Sequence, residues 1–271
     1  MTHSIGTALV TGASFGIGAV YADRLAKRGY DLILVARNGE RLGFLAAQLT
    51  SETGRSVTAL PADLRDKAAL AKVEAVLRDD PSITMLVNNA GAASRAPLLD
   101  ADVDEMEAMI TLNVTALTRL TYAAAPAFVA RGSGTIVNIS SVVGLAPERL
   151  NGVYGATKAF VLALSHSLQH ELANKGVRVQ AVLPAATATD IWEKAGLHHS
   201  KLPAGTVMST EDMVDAALAG LDQGEAVTIP PLQDGDDWTR FEAARRALVP
   251  KFANSAPASR YLTEASARRF A

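Results

Sequence analysis

The 271-residue chain is 49% apolar and 20% charged with a net charge of −2, so it has material for a packed core and no global charge to attract nucleic acid or an acidic membrane surface. It contains no cysteine, which excludes disulfides, thiolate chemistry and cysteine-based metal sites together. MTHSIGTALV enters an apolar strand at once without a basic leader, and no apolar run reaches about 18 residues, so the expectation is a soluble, cytoplasmic protein without membrane attachment.

In chain order, GTALVTG (6–12), YDLILVA (30–36), SVTALPA (56–62), TMLVNNA (84–90), GTIVNIS (134–140), VRVQAVLP (177–184) and EAVTIP (225–230) are short and apolar on both faces. Strands of a parallel sheet covered on both sides have this character. Helical patterns near 16–28, 39–53, 66–80, 103–131, 152–175 and 210–222 separate them. The alternation predicts one α/β domain over 1–271, a doubly wound, Rossmann-type parallel sheet with helices on both faces. Ligands of such sheets bind at the edge formed by the strand C-termini. The region from about 185 to 225 is expected to cover the substrate, with a C-terminal extension from about 231 to 271.

TGASFGIG (11–18) joins the first strand to the first helix. Gly12 permits a sharp turn, Gly16 a close approach to a pyrophosphate and Gly18 close packing of helix on strand. Ser14, Phe15 and Ile17 complete this loop, whose amide groups and helix dipole suit phosphate. The next strand ends with Ala36 and Arg37 where a NAD site usually carries Asp or Glu. A guanidinium there suits a 2′-phosphate, so the cofactor expected is NADP(H), with Arg41 one turn into the next helix as a helper. Asp63 and Leu64 follow the third strand, where they suit an adenine amino group and ring. Asn89, Ala90 and Gly91 end the fourth with the small residues that a ribose requires. Both segments also read as ordinary turn chemistry.

GTIVNIS delivers Ser140 and then Ser141 to the same edge, and Tyr154 and Lys158 follow one helical turn apart in VYGATKAF (153–160). With TGASFGIG, NNAG and Asn113, this set resembles the short-chain dehydrogenase/reductase family, in its branch of about 250-residue enzymes, over residues 5–190. The resemblance implies that Tyr154 is the general acid/base, that Lys158 lowers the tyrosine's pKa and grips the nicotinamide ribose, that Ser141 binds the substrate oxygen and that Asn113 holds a relay water. It implies no metal. It also implies NADP(H)-dependent reduction of a ketone or aldehyde, or the reverse reaction. A 3-oxoacyl-thioester reductase is the alternative enzyme, and a non-catalytic dinucleotide sensor the alternative in another class.

The chain departs from the family in LPAATATD, where Ala185 stands in place of a glycine, so Thr187 and Thr189 are weaker candidates for the nicotinamide amide. An alanine forced to positive φ would be strained. Trp192, Leu197 and Leu145 are expected to line an apolar pocket, with His198 and His199 as loop residues. Trp238, Phe241, Ala244 and Leu248 share one face of a C-terminal helix, expected to pack on this subunit or a neighbour. Met106, Met109, Ile110, Val114, Leu117, Leu120 and Phe128 cover more than one stripe of 103–131, and 152–175 is similarly apolar. That surplus predicts a homodimer or homotetramer through these helices. The other expected partner is a small-molecule carbonyl or alcohol, with no nucleic acid.

Overall fold

The computed structural model describes residues 4–189, 199–203 and 205–262. They fall into two compact units, 1–231 and 232–271.

The first unit is built on seven parallel strands: β1 (Thr7–Thr11), β2 (Asp31–Ala36), β3 (Val57–Pro61), β4 (Ile83–Asn88), β5 (Gly134–Ile139), β6 (Val177–Val182) and β7 (Val227–Thr228). Their order in space is β3-β2-β1-β4-β5-β6-β7. β1 therefore has β2 on one side and β4 on the other, with Thr11 beside Val35 and Val10 beside Val87. The order reverses at this point, which opens a crevice at the strand C-termini. The last strand is shorter than the 225–230 run predicts, because only Val227 and Thr228 pair with β6.

Alternation along the strands divides the core. Ala8, Val10, Leu32, Leu34, Met85 and Val87 pack with α1 (Gly16–Lys27), α2 (Gly39–Thr53) and α7 (Thr210–Asp222). Leu9, Ile33, Val35, Leu86 and Ile136 pack on the other face with α3 (Lys67–Asp79), α5 (Leu117–Arg131) and α6 (Gly152–Leu172). Each fully buried aliphatic side chain contributes about 1.5–3 kcal/mol, which fixes the register of the whole sheet.

The single helix expected over 103–131 is divided. It runs as α4 (Val103–Ile110), a π-helical turn (Thr111–Ala116) and α5. Most of its apparent apolar surplus is used inside the chain, since Met106, Met109, Leu117, Leu120 and Phe128 are all buried. Ile110, Tyr122 and, on α6, Phe160 remain exposed.

On the α5/α6 face a chain of polar side chains crosses the core. Asn88 Nδ2 donates to Thr121 Oγ1 and to Asn138 Oδ1, each at 3.0 Å. Asn138 Nδ2 donates in turn to Ser165 Oγ at 3.0 Å. All four residues are buried. Their bonds link α5, β4, β5 and α6 directionally, which apolar packing alone does not do.

In the second unit, α8 (Gly235–Leu248) carries Trp238 stacked on Phe241 with ring centroids 5.4 Å apart. Phe241 and Leu248 on the same helix are about half exposed, at 48% and 49%. Among the described residues no helix is long and apolar enough to cross a membrane.

Candidate active site

The crevice is lined first by the loop after β1. Gly12 and Gly16 have φ of +66° and +57°, a region costly for any side chain. Gly18 has ordinary backbone, but a Cβ there would lie 2.4 Å from the Gly12 carbonyl oxygen and 2.5 Å from Asn89 Nδ2. The loop and NNAG are locked together by Thr11, whose Oγ1 accepts from the Asn89 and Ala90 amides at 3.0 Å and donates to the Val87 carbonyl at 3.2 Å. Asn89 Nδ2 returns a bond to the Thr11 carbonyl at 2.9 Å. Asn38, Asp66, Asp102, Asn151 and Ser209 cap α2, α3, α4, α6 and α7 with their side chains. At α1 the N-cap is Phe15, whose side chain makes no capping bond. A helix start behind a glycine cradle fits a pyrophosphate.

Beside Ser14 lies a hollow of about 500 Å³ whose wall includes Arg41, Glu40 and Phe44. Arg37 is exposed at the end of β2, and Asn38 starts α2 by accepting from the Arg41 amide at 2.9 Å. Asp63 is engaged by Arg65, whose amide, Nε and Nη2 donate to it at 3.0, 3.1 and 2.7 Å. Those bonds hold its carboxyl below the usual range, with Arg37 adding a smaller pull. Leu64 is buried in the core.

At the next strand ends stand Ser141, Tyr154 and Lys158, all buried. Ser141 Oγ donates to the Pro184 carbonyl at 3.1 Å and accepts from the Val143 amide at 3.3 Å. Lys158 Nζ donates to the Ile139 carbonyl at 2.9 Å and lies 5.8 Å from the centre of the Tyr154 ring. A Cβ on Gly91 would stand 3.6 Å from that ammonium and 3.3 Å from Asn113 Oδ1, so the end of NNAG runs between the two. Asn113 sits in the π turn, accepts from the Ala92 amide at 2.8 Å, and donates to the Ala92 carbonyl at 2.9 Å and Thr157 Oγ1 at 3.0 Å. From this turn Asn113 thus joins the segment after β4 to α6.

Burial dominates the titration of both central groups. It pushes the Tyr154 phenol up to about 12, against a downward pull from the Ser141 hydroxyl. It pushes the Lys158 ammonium down to about 8. Burial sets the direction of the Tyr154 shift and Lys158 is not among its causes; the lowering expected of Lys158 acts together with the positive charge of an oxidised nicotinamide.

The loop after β6 returns to the glycine cradle. Thr189 is buried, and its Cγ2 lies 3.1 Å from the position of a Cβ on Gly16. Thr187 is buried, donates to the Ala185 carbonyl at 3.2 Å and bridges to Met208. Ala185 takes no positive φ, as no described non-glycine residue does, so the strain expected from replacing a glycine is absent there. Leu145 is 38% exposed beside the Ser141 turn. Trp192, Leu197 and His198 lie outside the described residues, as does the His199 side chain. Among the described residues no three or more His, Asp or Glu side chains are grouped to hold a metal ion.

Three ties around the site were not read from the sequence. Ser140 Oγ donates to the Lys158 carbonyl at 2.7 Å. Thr157 Oγ1 donates to the Tyr154 carbonyl at 2.8 Å. Asn151 accepts from the Val153 and Tyr154 amides at 2.9 and 3.2 Å. The last carried a legible signal, an Asn just ahead of a helical pattern; the second is a threonine's bond back over one turn of its own helix, and the first depends on which strand meets which helix.

Comparison with known proteins gives the family. The family model described as short chain dehydrogenase matches residues 6–199. A short-chain dehydrogenase from Sphingobium yanoikuyae, solved in complex with NADPH, is 52% identical with a TM-score of 0.93, covering 95% of this chain and 100% of that one. A bulky-bulky ketone specific alcohol dehydrogenase from Comamonas testosteroni is 45% identical with a TM-score of 0.88, covering 96% of this chain and 100% of that one. The very-long-chain 3-oxoacyl-CoA reductase of Bos taurus is 35% identical over 68% of this chain and 60% of its own.

The buried lysine has a consequence for stability. It titrates near 8 in the folded chain against an ordinary 10.5, so below pH 8 its charge opposes folding by about 3 kcal/mol. That opposition relaxes as pH rises from 8 to 10.5. Lys158→Met should raise unfolding free energy at pH 7 by about 1–3 kcal/mol, less what Ile139 loses as an acceptor, and the gain should shrink by pH 10. Urea unfolding at the two pH values measures it, and a variant less stable at pH 7 would contradict the assignment.

Proposed function

The chain belongs to the short-chain dehydrogenase/reductase family, and on that footing we propose that it is an NADP(H)-dependent oxidoreductase interconverting a bulky ketone and its secondary alcohol. The observation that carries this reading is the burial, side by side, of a phenol and an ammonium at the C-terminal edge of the sheet. Burying an ammonium costs free energy, and a protein that only senses dinucleotide has no use for the expense. The two solved relatives described above support the cofactor and the substrate class.

In this reading Gly12, Ser14, Phe15, Gly16, Ile17 and Gly18 hold the pyrophosphate, Arg37 with Arg41 the 2′-phosphate, and Asp63 with Leu64 the adenine. Asn89, Ala90 and Gly91 line the ribose path, and Thr187 and Thr189 meet the carboxamide. When bound, the nicotinamide supplies the hydride for reduction or accepts it for oxidation. Tyr154 gives its phenolic proton to the carbonyl oxygen. With its pKa pushed up to about 12, the phenol stands in the acid form that reduction needs at neutral pH. Ser141 turns its hydroxyl from the Pro184 carbonyl to the same oxygen as negative charge grows there. Lys158 grips the ribose and stabilises the phenolate left behind, and Asn113 steadies the Thr157 turn between the two.

The walls near the phenol are apolar. Met106, Met109 and Val143 cluster with Tyr154, and Ala92, Ala93, Leu150 and Val153 pack around them. Such a surface suits hydrocarbon substituents on both sides of a carbonyl. The bovine relative keeps a 3-oxoacyl thioester as the second reading of the same site. We also propose that Ile110, Tyr122 and Phe160, apolar and exposed, are covered by a second copy; a monomeric mass by light scattering at micromolar concentration would refute this.

NADPH consumption with bulky ketones, small aldehydes and 3-oxoacyl thioesters should be fastest with the first group. Tyr154→Phe should lower that rate by about 10²-fold or more while NADPH still binds; retained turnover would remove the tyrosine from proton transfer. Arg37→Asp should reverse the preference between NADPH and NADH, since a carboxylate repels the 2′-phosphate and accepts from a ribose hydroxyl. An unchanged cofactor ratio would take Arg37 out of the site.

A further inference from the structure

We propose that Asn151 is a positioning residue that fastens the loop walling one side of Tyr154 to the helix turn that carries Tyr154, and thereby sets which ketone substituents the site accepts. The inference deepens the ketone reading and, for its substrate consequence, rests on it.

Asn151 is buried and uses both ends of its carboxamide. Its Oδ1 caps α6, accepting from the amides of Val153 and of Tyr154 itself. Its Nδ2 points the other way and donates to the Ala96 carbonyl at 2.5 Å, across 55 residues of sequence. Between Asn89 and Asp102 the chain has no helix or strand, so its course depends on individual bonds. Asn113 holds it at Ala92 through two bonds, and Asn151 holds it at Ala96. Two buried asparagines thus clamp the segment at points four residues apart.

The clamped segment is part of the wall around the reacting phenol. Ala92 and Ala93 pack on the cluster formed by Met106, Met109, Val143 and Tyr154. A shift of Ala96 moves these small side chains relative to the tyrosine and changes the room for a carbonyl's substituents. The two jobs of Asn151 need different chemistry: capping needs an acceptor, while the loop needs a donor at the far end of a planar amide. Serine keeps a short acceptor for the cap, but its single hydroxyl lacks the reach to donate to Ala96 as well. Alanine keeps neither.

The discriminating comparison is therefore Asn151→Ser against Asn151→Ala, in the full-length chain. Hydrogen exchange read by mass spectrometry should show residues 92–100 exchanging faster in both variants, by about tenfold or more. Residues 152–160 should exchange faster only in Asn151→Ala. Unchanged exchange over 92–100 in Asn151→Ser would overturn the proposal, whatever the enzyme's activity. In turnover, the ratio of kcat/KM for a ketone with two bulky substituents to that for a small methyl ketone should change about tenfold in Asn151→Ser. NADPH affinity should stay within about twofold, because Asn113 still holds the segment at Ala92, next to Asn89, Ala90 and Gly91. An equal loss on both ketones would mark a merely structural role and also overturn the proposal. If the unaltered chain reduces no ketone, the proposed activity fails, and the exchange comparison still decides the role of Asn151.

Discussion

The site depends on one costly contact, the Lys158 ammonium held in the protein interior against the Ile139 carbonyl at 2.9 Å. A lysine pushed down to about 8 by burial stays in place only if its helix cannot slide and its strand cannot shift. The surrounding hydrogen bonds serve that end. Ser140 bonds to the Lys158 carbonyl, Asn113 to Thr157, and Asn138 to Ser165. β5 and the π turn thereby fasten α6 along its length. Apolar packing of the same helix would be non-directional and would leave its rotation and axial position less defined.

The cofactor half is organised by a different constraint, the close approach of backbones. Gly12 and Gly16 adopt left-handed conformations, and Gly18 lies where any side chain would meet the Gly12 carbonyl. Thr11 and Asn89 then bind β1 to β4 across the crevice. The two halves meet where strand order reverses, with Gly91 passing between Asn113 and Lys158. The glycine loop proposed to hold phosphate and the helix proposed to transfer the proton are thus brought to one edge of a single sheet, although more than a hundred residues of sequence separate them.

The physical cost of burying Lys158 favours an enzyme. A protein that merely binds dinucleotide needs the glycine cradle and the start of α1, but not a buried ammonium facing a buried phenol. The phenol is packed among apolar side chains of Met106, Met109 and Val143. The exposed apolar residues on α4, α5 and α6 are fewer than the sequence implies, since Leu120 and Phe128 pack with sheet residues and Met106 and Met109 cluster with Val143 and Tyr154.

The sequence by itself determined the strand–helix alternation, the parallel sheet and the order of motifs along its edge, because hydrophobic period and glycine spacing are local properties. It also singled out Ser141, Tyr154 and Lys158 as candidates, and the structure buries all three at one sheet edge. It could not locate the π turn at Thr111–Ala116, the upward shift of Tyr154, or the ordinary φ of Ala185. Nor could it disclose that Ser140 reaches the Lys158 carbonyl or that Asn151 reaches Ala96. These were decided by tertiary structure, because desolvation and hydrogen bonding between distant segments exist only once the sheet has brought those segments into contact.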